Sequence, residues 1–148
     1  MTLTSSPAPQ TESLTTDTKP TALLSPPTTE QMPLTMFVVI RKDLAKTLSW
    51  PAGSVITQAC HATAAVLHLN KDNPDVQQYL KDWKGMTKVS YEVKNETALR
   101  AVADKLTDKN IPYHMWVEQP ENIITCLATV PIRKDSAGDA FKKCSLYR

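Results

Sequence analysis

Several things are missing from this sequence, and each absence removes a class of function. No apolar run approaches the roughly 18–20 residues needed to cross a bilayer, so a membrane partner is not expected. Only three cysteines occur among the 148 residues, Cys60, Cys126 and Cys144, and no CxxC pair is present. An odd number without close pairing speaks against a disulfide framework and for a reducing compartment. Two of them lie in apolar runs, where a free thiol behaves as a small buried hydrophobe. Zinc held by Cys60, His61, His68 and His114 is the sharper alternative, but their spacing matches no ligand pattern. No metal and no cofactor are therefore expected. The N-terminal stretch lacks a basic segment followed by an apolar one, which argues against secretion. It has no arginine and contains Glu12, Asp17 and Glu30, which argues against a mitochondrial transit peptide. A cytoplasmic location is expected, with mitochondrial association as the alternative. No internal repeat is found.

What is present divides the chain in two. Residues 1–33 hold six prolines, thirteen Ser or Thr and no aromatic residue. Such a segment cannot bury enough apolar area to offset its ordering entropy, so a disordered tail is expected. Its three acids and one lysine give it a net charge of −2 against +2 for the whole chain, leaving +4 on residues 34–148. That excess mildly favours an anionic partner, although ordinary surface lysines would produce it equally well.

Residues 34–148 read as one α/β domain. Met36-Phe37-Val38-Val39-Ile40 has the length and β-branching of a buried strand. Ser49 to Gly53 reads as a loop, and Ser54 to Leu69 as a helix with Val55, Ala59, Ala62 and Val66 on its apolar stripe. Asn73-Pro74-Asp75 starts a short second helix. A strand follows at Lys88–Val93, then a helix from Glu96 to about Asp108 capped by Asn95, with a left-handed exit at Asn110. Strands at Tyr113–Val117 and Ile123–Val130 are close enough to pair antiparallel, and Asp135 to Cys144 reads as a closing helix. The expected order is β-α-α-β-α-β-β-α. It implies a three-layer α-β-α domain on a mixed four-stranded sheet, mostly parallel apart from one hairpin.

On the first long helix Ser54, Gln58, His61, Ala65 and His68 fall within about a third of the helical circle, away from the apolar stripe. In open α/β sheets a crevice lies beyond the carboxyl ends of the strands, and a helix N-terminus offers free N–H donors there. Arg41, Asp43, Ser54, Gln58 and His61 are thus expected to converge at one edge. Taken alone, His61 reads more readily as a half-buried histidine bonded to a carbonyl, and Gln58 as a plain helix-surface residue.

Val39-Ile40-Arg41-Lys42-Asp43-Leu44, then Gly53, then Gln58-Ala59-Cys60-His61-Ala62, resembles the opening signature of type II peptidyl-tRNA hydrolases. Ser49 to Gly53 and Trp116 to Ile123 resemble more closely the divergent branch called peptidyl-tRNA hydrolase domain-containing proteins. The resemblance covers residues 36–148. It implies cleavage of the ester between a peptide and the terminal ribose of tRNA, without a metal. It also implies peptidyl-tRNA as partner, no DNA, a weak homodimer and a place in translation quality control.

Position by position, Arg41, Asp43, Gln58 and His61 match the family pattern. Glu118 stands where the family usually has Asp, Thr125 matches a family Thr, and Asn122 matches another only loosely. The resemblance implies that Glu118 or His61 activates water, with Asp43 and Thr125 in the catalytic set. Gln58 and Ser54 would donate to the ester or oxyanion, and Arg41, Lys42, Ser54 and Asn122 would hold tRNA phosphates. One departure stands out: the family's lysines flanking the loop glycine are replaced by Ala52 and Ser54. That replacement keeps two alternatives open, a non-catalytic tRNA- or RNA-binding relative and a protein-interaction adaptor using the tail with Trp50 or Trp116.

Overall fold

The structure is a computed structural model that describes residues 32–148. The expected disordered tail over residues 1–33 lies outside the described residues, apart from Met32 and Pro33.

The apolar run at the start of the domain becomes β1 (Leu34–Arg41), with all eight residues buried. Burial on both faces of a pleated strand requires a layer on each side, and this makes β1 central. It is followed by the one-turn helix α1 (Asp43–Lys46), then α2 (Ala52–Leu69), α3 (Pro74–Lys81) and β2 (Thr87–Val93). Next come α4 (Glu96–Asp108), β3 (Tyr113–Glu118) and β4 (Ile123–Thr129). Two-residue strands β5 (Ile132–Arg133) and β6 (Ser145–Leu146) complete the order. The domain is three-layered α/β, as expected: α2 packs on β3, β4 and β1, and α4 on β4, β1 and β2.

Three expectations need correction. The sheet has six strands, ordered β3-β4-β1-β2-β6 with β5 beside β1, because the two-residue strands extend the expected four. It is mostly antiparallel: only β1 and β2 run parallel, while β4 and β5 lie antiparallel to β1, β3 to β4, and β6 to β2. The parallel pair is the one whose connection carries three helices, and short links such as residues 119–122 permit only antiparallel neighbours. The expected closing helix over Asp135–Cys144 is instead a 3₁₀ turn at Lys134–Ala137, ended by Gly138 at φ 53 and followed by turns into β6. A positive φ there stops helical propagation at a residue without a Cβ penalty.

The caps behave as read from sequence. The Asn73 side chain accepts from the amides of Asp75 and Val76, and that of Asn95 accepts from Ala98. Asn110 takes the left-handed exit at φ 55. The C-terminal turns are held by a stack of Phe141 on Phe37, with centroids 4.7 Å apart, and on Tyr91 at 5.4 Å. Among the described residues no helix is long and apolar enough to cross a membrane.

Candidate active site

The buried stripe of α2 is Val55, Gln58, Ala62 and Val66. Gln58 therefore belongs to the inner face and not to the polar surface that periodicity suggested; it is 2% exposed. A buried carboxamide needs partners, and both ends find them. Its Nε2 donates to the Ser54 carbonyl at 3.2 Å, and its Oε1 accepts from Thr125 Oγ1 at 3.0 Å. The carbonyl acceptor fixes which end is nitrogen, so the amide orientation follows from its surroundings. Thr125 is fully buried on β4. The adjacent Cys126 thiol donates to the Gln58 backbone carbonyl at 3.2 Å. Burial pushes that thiol's pKa up to about 12, which favours the protonated form over the nucleophilic thiolate.

Above Gln58 opens a cleft of about 470 Å³, lined by Trp50, Pro51, Gly53, Ser54, Thr57, Gln58, Glu118, Gln119 and Glu121. Pro51 is the N-cap of α2 and provides no side-chain cap. The first amides of the helix are thus left as donors beside the cleft. Glu118, at the end of β3, is steadied by Trp116, whose Nε1 donates to its Oε2 at 2.7 Å. His61 is exposed and stacks on the same indole with centroids 4.6 Å apart and planes 18° from parallel. His61 touches the site through Trp116 and does not line the cleft. Asn122, at φ 56, closes the β3–β4 turn, and its Oδ1 accepts from Gln119 at 3.5 Å.

Arg41 and Asp43 form a second cluster behind this one. The buried Arg41 guanidinium donates twice to Asp43, through Nε at 3.0 Å and Nη2 at 2.8 Å. Its Nη1 donates to Glu96 at 3.0 Å and to the Ile124 carbonyl at 2.7 Å. The hydrogen bond to Asp43 raises the arginine pKa against the lowering effect of burial. Arg41, which the family pattern suggested for phosphate, faces inward here, its donors taken by two carboxylates and a carbonyl. Lys42 pairs with the buried Glu92. The two clusters meet along β4: Arg41 grips Ile124, and the next residue, Thr125, holds Gln58.

The expected convergence at one edge is therefore a pair of linked clusters, with Ser54, Gln58, Glu118 and Thr125 in one and Arg41 and Asp43 in the other. Reasoning from sequence missed Glu96, read only as the start of α4, and Glu92, read only as a strand residue. It also missed Thr57, Gln119 and Glu121 as cleft lining. An acid placed one residue after a helix cap gives no signal of a partner 55 positions away. Among the described residues no group of three His, Cys, Asp or Glu side chains is placed to hold a metal ion.

Comparison with known proteins bears on the whole domain. The family model described as Peptidyl-tRNA hydrolase PTH2 matches residues 34–147. A human protein named "Putative peptidyl-tRNA hydrolase PTRHD1" is 43% identical over 120 residues, covering 80% of this chain and 86% of that protein. A mouse protein of the same name is 43% identical over 116 residues, covering 78% and 83%.

Proposed function

This chain belongs to the type II peptidyl-tRNA hydrolase family, PTH2, and from that premise we propose that it hydrolyses the ester joining a peptide to the terminal ribose of tRNA. The observation that carries the reading is the buried Gln58, locked between Ser54 and Thr125 beneath a cleft that also presents Glu118. One Gln58 N–H is committed to the Ser54 carbonyl, so the second is left for the ester oxygen.

Glu118 takes a proton from water as that water attacks the ester carbonyl. One carboxylate oxygen is anchored by Trp116; among the described residues the other has no hydrogen-bond partner and serves as the base. The tetrahedral oxyanion forms beside the uncapped amides of α2 and the Ser54 hydroxyl, donors set in place before reaction. Collapse breaks the bond to the ribose oxygen, which leaves as the hydroxyl on taking the proton from Glu118, and the peptide departs as its carboxylic acid, which gives its proton to solvent. His61 acts as a positioning residue through the Trp116 ring. Arg41 and Asp43 position β4 and do not touch substrate. The free thiols suit a reducing compartment, and we place the reaction in the cytoplasm, in the rescue of translation.

One observation favours a second reading, a relative that binds tRNA without cleaving it. Glu118 and Glu121 line the cleft, and among the described residues no lysine or arginine joins them there, because Ala52 and Ser54 occupy the positions where the family has lysines. Incubating the purified full chain with a model peptidyl-tRNA decides between them. Hydrolysis is expected, falling by about 10²–10³ in kcat in Gln58→Ala and Glu118→Gln, the scale of losing one placed donor or base. Binding without turnover would establish the second reading, and turnover unchanged in both variants would overturn the site.

A further inference from the structure

Away from the Gln58 cleft, two hollows lie side by side at the ends of β1 and β2. One, of about 460 Å³, is lined by Lys42, Asp43, Lys46, Thr47, Lys94 and Asn95. The other, of about 440 Å³, runs along α4 to the C-terminal turns and includes Lys94, Asn95, Lys105 and Lys143. Lys94 and Asn95 line both, so the two form one continuous surface. Among the described residues five lysines and a single acid, Asp43, line it, and Asp43 is already engaged by Arg41. Lys42 pairs with Glu92, and Lys105 with Asp139. Among the described residues Lys46, Lys94 and Lys143 have no acidic partner, and all three are exposed.

A row of uncompensated cations on a concave surface concentrates counter-ions and favours a polyanion. Its direction is informative. The surface begins at Asp43, on one side of the Arg41 guanidinium, while Ile124 and Thr125 lie on the other side, leading to Gln58. We infer that Lys46, Lys94 and Lys143 form a track for an RNA backbone, which approaches the ester site from the α4 side and not across the loop before α2. The inference rests on the proposed tRNA substrate, and it relocates the positive charge that Ala52 and Ser54 do not supply. The lysines grip phosphates and give affinity without choice of sequence. The acidic cleft receives only the end of the chain, where the ester lies.

The test is binding of deacylated tRNA to the full chain by fluorescence anisotropy, over a range of salt concentrations. Wild type should bind with a salt slope of several units. Combined Lys46→Glu, Lys94→Glu and Lys143→Glu substitution should weaken binding more than tenfold near physiological salt and flatten the slope by about one unit for each phosphate no longer gripped. Lys81→Glu, an exposed lysine outside this surface, measured alongside, should bind tRNA nearly as wild type does. If the charge-reversed chain does not fold, single lysine-to-glutamine variants keep the slope readable. An unchanged slope in the lysine variants overturns the track whether or not the protein hydrolyses ester. Binding that disappears on lysine substitution in a protein without turnover leaves the track standing and removes only the hydrolase reading. Binding to phosphatidylserine vesicles but not to tRNA overturns RNA as the partner.

Discussion

Two regions linked through Arg41, the Gln58 cleft and the lysine surface, differ in the features that matter for a charged substrate. The Gln58 cleft has a floor of buried, mutually bonded polar groups and is lined by two glutamates without a cation. The surface beyond Asp43 has five lysines, three of them exposed and without an acidic partner among the described residues. Bonded polar groups beside negative charge suit orienting a water and an ester; exposed positive charge suits holding phosphates. On the proposed reading, the lysines that the family pattern has in the loop before the helix would bring the two tasks together. On the proposed reading they are separated here, with Arg41 as the partition, its guanidinium bonded to Asp43 and to the Ile124 carbonyl.

The harshest way to break that partition is to remove the arginine. Arg41→Ala leaves Asp43, the Glu96 carboxylate and the Ile124 carbonyl without their shared donor. Stripping one partner from a buried charge network costs about 3–5 kcal/mol, and because Asp43 is 20% and Glu96 37% exposed the lower end, about 3 kcal/mol, applies here. Urea denaturation of the full chain should show a loss of that size. Arg41→Lys should lose less, because an ammonium keeps the charge but not the two parallel bonds to Asp43. A loss under about 1 kcal/mol for the alanine variant, typical of an exposed pair, would mean that Arg41 does not hold the two regions in register.

Placing a cation back into the acidic cleft is a gentler intervention. Ser54→Lys puts an ammonium near Glu118 and Glu121. It also sets a positive charge in the first turn of α2, where the helix dipole opposes it by about 0.3–1 kcal/mol. Stability should fall slightly while kcat/KM on a model peptidyl-tRNA rises about tenfold, less than a placed oxyanion donor contributes because the new side chain is not preorganised. No rise would indicate that the cleft does not lack charge and that the lysine surface already supplies what the loop has lost.

Much of this arrangement is legible in the sequence, and the parts that are not share a cause. The four long strands, the caps at Asn73 and Asn95 and the exit at Asn110 follow from local chemistry, and local chemistry is what periodicity and capping rules read. The strand–loop–helix from Arg41 to His61 carries enough fixed residue types to bring the family into view. Failures occur where a distant partner decides the outcome. Gln58 falls on the polar side of a helical wheel, yet Thr125 and Cys126 draw it inside. Arg41 looks like a phosphate ligand until Glu96 and Asp43 are seen to occupy it. The two-residue strand Ser145–Leu146 exists because the neighbouring β2 edge is free to pair, and nothing local to Ser145 announces that.

The smallest effect concerns the rim of the lysine surface. Asp139 is exposed and bonded to both Lys105 and Lys109, at 2.9 and 3.1 Å. The hydrogen bond from Lys105, then that from Lys109, lowers its carboxyl pKa from 3.8 to about 2. A carboxyl whose pKa is depressed on folding stabilises above its unfolded value, and that stability fades as pH falls through the folded value. Wild type should therefore melt slightly higher than Asp139→Asn above about pH 4, with the difference vanishing as pH approaches about 2; solvent screening keeps it small at any pH. The same substitution should tighten tRNA binding by about twofold, because Lys105 loses its only carboxylate partner among the described residues and the surface gains one net positive charge. Weaker binding in Asp139→Asn would mean that the carboxylate is needed to hold Lys105 in place on the track, and that the charge of this surface depends on order as well as number.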